Sequence, residues 1–135
     1  METLSARIKA HEGLRLKPYL DTEGHLTIGY GRCLDKIGIS HAEAELLLKA
    51  DIARAIDDFY RLPIPIIQNC NANRRRILCE MIFNLGLHGV LGFQKMLSAI
   101  ERGNYNEAAV QMVDSRWAEQ VGIRAKLMAQ TMREG

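Results

Sequence analysis

A chain of 135 residues suffices for one ordinary domain or two small lobes sharing a core, and 47% hydrophobic with 25% charged residues is a globular mixture, excluding a disordered chain. The net charge of +2 is too small to mark a nucleic-acid binder or a membrane-surface protein. Three dispersed cysteines without a CxxC (Cys33, Cys70, Cys79) argue for reduced thiols rather than a disulfide scaffold.

The chain opens on METLSARIKAHEG, which lacks the apolar run of a signal peptide, so synthesis in the cytoplasm without one and no membrane insertion are expected. Residues from about Thr3 to His11 suit a short helix, with Leu4 and Ile8 four apart on one face and Gly13 as the stop. The stretch Leu16 to Leu34 reads as paired strands around a turn at Thr22-Glu23-Gly24, with Pro18 at a strand start or edge. From there the pattern is helical. Ser40-His41-Ala42-Glu43 is a capping box opening a helix to about Tyr60, whose apolar positions are Leu46, Leu47, Ala50, Ala53 and Ile56. Leu62-Pro63-Ile64-Pro65 breaks it. A further helix, Ala72 to Leu85, presents Ile77, Leu78, Met81, Ile82 and Leu85, and Gly86, Gly89 and Gly92 then divide shorter pieces. Asn104-Tyr105-Asn106-Glu107 resembles a second box, Ser115 caps a turn holding Trp117, and a last helix runs from about Gly122 to Arg133. A small α+β lobe, a connecting helix and a helical lobe follow.

Glu12 is the first candidate for chemistry. At the end of the first helix it faces the negative pole of the helix dipole, which disfavours its charged form, as a general acid requires. The plain alternative is a solvent-facing glutamate at a frayed end. Asp21, at the end of the first strand, and Thr27, within the second, are brought near one another by a hairpin. Hydrolysis of a glycosidic bond needs an acid on the leaving oxygen and a second group to activate or place water; Glu12, Asp21 and the Thr27 hydroxyl fit those roles. Equally, Asp21 suits a turn start and threonine any strand. His11, His25, His41 and His88 show no ligand spacing, so no metal and no cofactor are expected.

Glu12-Gly13-Leu14-Arg15-Leu16-Lys17, Tyr19-x-Asp21-Thr22-Glu23-Gly24 and Leu26-Thr27-Ile28-Gly29-Tyr30-Gly31 resemble the N-terminal lobe of the T4-type phage lysozymes, or endolysins. The likeness continues at Met81 to Gly86, at Gly89-Val90-x-Gly92-Phe93, at Asn106 to Val110, and at Ser115-Arg116-Trp117 with Arg124-Ala125-Lys126, in order over almost the whole chain. It implies one lysozyme-like, mainly helical α+β domain over 1–135. Its two lobes are a small one with an antiparallel β-sheet plus the connecting helix, about 13–60, and a helical one from 1–12 and 61–135, with a cleft between them. The implied reaction is inverting hydrolysis of the β-1,4 bond between N-acetylmuramic acid and N-acetylglucosamine in bacterial peptidoglycan. The implied protein is a monomer that reaches the wall after holin-dependent release.

By the same resemblance Glu12 is the proton donor, Asp21 the water-activating aspartate and Thr27 its companion. Arg124 stands beside the catalytic glutamate, Tyr19 and Glu23 line the small-lobe side of the cleft, and Phe83, Asn84 and Gln111 line the opposite wall. Trp117 is expected in the core. Two departures stand out. Arg32 occupies the place of a histidine that pairs with an aspartate at the position of Asp51, so an Arg32–Asp51 pair is expected, with acid loss of stability resting on Asp51. The connection Leu34 to Ile39 is shorter than in the phage protein, removing a lip of the cleft. A second reading keeps the fold as a catalytically weak peptidoglycan-binding domain. A third, a DNA-binding helical protein, is prompted by Asn73-Arg74-Arg75-Arg76, but three adjacent arginines point around a helix rather than along one face, and no nucleic-acid partner is expected.

Overall fold

The computed structural model describes residues 1–135 and divides the chain into two compact units, Met1–Leu47 and Leu48–Gly135. In the first, Thr3 caps helix α1 (Leu4–Glu12) by accepting from the Ala6 amide at 3.1 Å, and Gly13, at φ 68°, ends it. Strands β1 (Arg15–Leu20), β2 (Leu26–Gly29) and β3 (Arg32–Cys33) form an antiparallel sheet in the order 1-2-3. Tyr19 lies opposite Thr27 and Leu20 opposite Leu26; Thr27 also faces Cys33, and Ile28 faces Arg32. Pro18 is tolerated because β1 is an edge strand.

Helix α2 (His41–Phe59) begins with the expected capping box: the Glu43 amide donates to Ser40 Oγ at 3.1 Å, and the Ser40 amide donates back to Glu43 Oε1 at 2.9 Å. The side it buries differs from the one read in the sequence. Ala55 and Phe59, one turn apart, are buried, whereas Leu46, Leu47, Ala50, Ala53 and Ile56 are exposed. Leucines and alanines on several sides of this helix make its periodicity a weak guide to the face chosen.

The second unit continues through α3 (Ile64–Gln68), α4 (Ala72–Leu91), α5 (Gln94–Glu101), α6 (Tyr105–Val113), α7 (Arg116–Val121) and α8 (Ile123–Glu134). Gly86, at φ 77° and ψ 166°, breaks α4 into two pieces, a geometry only glycine adopts readily. Helix α6 packs on α5 and α8. The core holds Phe59, Ile66, Leu78, Val90, Ile100 and Trp117 with five methionines, Met81, Met96, Met112, Met128 and Met132. Unbranched thioethers fill the irregular space among short helices better than branched side chains.

Side chains close three helix ends in this unit. Arg74 Nε donates to the Met132 carbonyl at 2.8 Å and its Nη2 to the Arg133 carbonyl at 3.2 Å, while the guanidinium lies 3.4 Å from the Tyr105 ring centroid. Arg75 donates to the carbonyls of Cys70 and Ile67. Asn69 donates to those of Ile100 and Glu101. The last carbonyls of α8, α3 and α5 thus gain donors they would otherwise lack. Two of the three consecutive arginines are therefore occupied internally. No single helix is long and apolar enough to cross a membrane.

Candidate active site

Within the first unit three segments carry the residues singled out for chemistry. Glu12 is the last residue of α1 and is exposed. Its carboxyl group lies over the backbone of Gly31, in the turn between β2 and β3; an added β-carbon there would fall 2.5 Å from Oε2 and 2.9 Å from Cδ. Lys9, one turn earlier on α1, places its ammonium 5.5 Å from the Tyr30 ring centroid, a second tie between helix and turn.

Asp21 closes β1 with an Asx turn. Its Oδ1 accepts from the Glu23 amide at 2.9 Å and the His25 amide at 2.8 Å. The His25 amide, ahead of the other partners, holds this carboxyl below its ordinary range. Oδ2 lies 3.6 Å from His25 Nδ1. The His25 carbonyl joins Asp21 to Thr27, accepting from the Asp21 amide at 2.9 Å and from the Thr27 hydroxyl at 2.9 Å. Thr27 is the buried polar residue of the chain, at 3% exposure, and its hydroxyl hydrogen is already committed. Tyr19 is half-buried beneath the Arg15 guanidinium, 4.4 Å from its ring centroid, and Glu23 is exposed, 3.7 Å from His25 Nδ1.

In the second unit the indole Nε1 of Trp117 donates to Asn84 Oδ1 at 3.0 Å, so the buried tryptophan belongs to the core and orients the amide. Gln111 donates to Glu107 Oε1 at 2.7 Å and, with Phe93, Lys95 and Arg116, lines an open recess of about 520 Å³. Phe83 is exposed.

Arg32 is bound at 2.5 Å by Glu43 Oε2, and Asp51 by Arg54. The capping box already delivers the Glu43 carboxylate to the start of α2, and Arg54 lies one helical turn from Asp51. Within the second unit Arg124 donates from Nε and Nη2 to Glu80 Oε1 at 3.3 and 3.0 Å. Sequence reasoning missed Gly31, the His25 carbonyl and the Glu43 link. The Gly29-Tyr30-Gly31 spacing was a signal for the first, and the capping box for the last; a carbonyl leaves no mark in a sequence.

Residues 9–134 match the family described as Phage lysozyme. The chain belongs to the phage lysozyme family. It is a lysozyme-type glycoside hydrolase, and the family implies peptidoglycan as its substrate. Similar proteins include the Probable T4-type lysozyme 2 of Dictyostelium discoideum, 29% identical over 100% of this chain and 96% of its own. The Endolysin of Acyrthosiphon pisum secondary endosymbiont phage 1 is 31% identical, over 89% of this chain and 82% of its own. The pre-baseplate central spike protein of Enterobacteria phage T4 is 30% identical over 98% of this chain but only 28% of its own length. The fold agrees with membership: mainly helical, with a three-stranded antiparallel sheet near the N-terminus.

Proposed function

We propose that this lysozyme is a muramidase cutting the β-1,4 bond between N-acetylmuramic acid and N-acetylglucosamine with inversion, Glu12 giving the proton and Asp21 with Thr27 handling the water. The observation that carries the reading is the shared His25 carbonyl, which ties the Asp21 backbone and the Thr27 hydroxyl into one construction. Asp21 Oδ1 is taken by two amides, leaving Oδ2 to accept from water, and the lowered pKa supports a carboxylate that stays charged. Thr27 donates to His25, so towards water it is an acceptor. A water giving one hydrogen to each turns its lone pair towards the anomeric carbon. As its oxygen bonds there, the glycosidic bond breaks, Glu12 protonates the leaving oxygen and Asp21 takes a proton from the water.

The glycan contacts expected of Tyr19, Glu23, Phe83, Asn84 and Gln111 belong to the same proposal. With Asn84 Oδ1 held by Trp117, its NH2 group is the part suited to a sugar carbonyl. Monomeric action on the wall after holin-dependent release completes it.

The test is turbidity clearing of purified peptidoglycan by wild type and Glu12→Gln, a near-isosteric change that removes the acid proton. Clearing by wild type and none by Glu12→Gln is expected. Equal clearing overturns the assignment of Glu12. Wild type that sediments with peptidoglycan without clearing it would instead favour the binding-only reading.

A further inference from the structure

We propose that Gly31 positions the Glu12 carboxyl group: its bare backbone is the surface on which that group rests, and any side chain there displaces the proton donor. The proposal rests on the reading of Glu12 as that donor. Three glycines of the sheet region, Gly24, Gly29 and Gly31, have positive φ, at 81°, 70° and 74°. Conformation alone explains a glycine at each. Only at Gly31 is there a second reason. A β-carbon at Gly24 or Gly29 would meet nothing within 4 Å, whereas at Gly31 it would fall 2.5, 2.9 and 3.2 Å from Oε2, Cδ and Cγ of Glu12.

Two restraints decide which partner yields. The turn is tied on one side by the β2–β3 pairing, Ile28 facing Arg32 and Thr27 facing Cys33. On the other, Arg32, the residue after Gly31, is clamped by Glu43 Oε2 at 2.5 Å, and Glu43 is itself held by the Ser40 amide. Glu12 is an exposed side chain with rotatable bonds. An added methyl therefore moves the carboxyl group rather than the turn. Gly29, at the end of β2 and of nearly equal φ, supplies the control, because alanine there carries the backbone cost without the contact.

The experiment compares Gly29→Ala and Gly31→Ala for thermal unfolding and for kcat and KM on solubilised glycan strands. Similar loss of stability in both is expected, with kcat retained in Gly29→Ala and about a hundredfold lower in Gly31→Ala, the order expected for an ångström-scale misplacement of a catalytic group. KM should stay within about twofold, since the substrate-binding groups are untouched. The Glu12 carboxyl carbon resonance should shift in Gly31→Ala and not in Gly29→Ala. Should Gly31→Ala fail to fold while Gly29→Ala folds, adding Glu12→Ala should restore folding; failure to do so overturns the contact. Equal kcat in the two alanine variants, with Glu12→Gln inactive, overturns the positioning role alone. Activity in Glu12→Gln overturns the donor reading and this role with it.

Discussion

Asp21 divides its two carboxyl oxygens, Oδ1 accepting the amides that build the turn and Oδ2 lying 3.6 Å from the His25 imidazole. That division separates structure from chemistry. In Asp21→Asn the side-chain carbonyl still accepts both amides, but no negative charge remains to take a proton from water. An unchanged circular dichroism spectrum with loss of peptidoglycan clearing is expected; clearing at the wild-type rate would remove Asp21 from the mechanism. The sign of the pH dependence follows from the depressed pKa, caused first by the His25 amide. The charged form, and the turn stability it contributes, persists above the ordinary aspartate value and is lost only as pH falls through the lower folded one.

At the scale of the element, the first turn of α2 carries more than a cap. Glu43 accepts from Ser40 through one oxygen and binds Arg32 through the other, which links β3 to the helix start and takes its pKa down to about 2, with Arg32 the leading cause. A carboxylate whose folded pKa lies below the ordinary 4.5 contributes stability fully above that value. The contribution fades as pH drops from about 4.5 towards 2. Arg32 does not titrate in this range. Thermal unfolding followed across this window should therefore show a flatter acid limb in Glu43→Gln than in wild type. Both partners are more than a third exposed, so salt should narrow the difference. The second capping sequence behaves differently. Asn104 accepts from the Glu107 amide, but Glu107 turns to Gln111 instead of completing the box.

Across the whole molecule, what could be read in advance follows the range of the interaction. Helix starts at Thr3, Ser40, Asn104 and Ser115 and the stop at Gly13 were legible because caps act over three or four residues. The Glu12, Asp21 and Thr27 spacing was legible too, since these residues stand on consecutive elements of one small unit. The partners of Arg32 and Arg124 and the buried side of α2 were not. Those depend on which of several reachable carboxylates or apolar sides the folded chain brings closest, a competition that no local pattern records.

The methionine-filled core has a chemical consequence. Met81, Met96, Met112, Met128 and Met132 are all buried, so of the six thioethers only that of Met1 is freely open to peroxide while the chain stays folded. Heat changes this, because unfolding bares five thioethers at once, and each sulfoxide is too polar to re-enter an apolar interior. With accessible thiols first alkylated, mild peroxide on the folded chain should add one oxygen by mass and leave refolding intact. The same dose during heating should add several and make the transition irreversible, fixing in covalent form a loss that cooling alone would have undone.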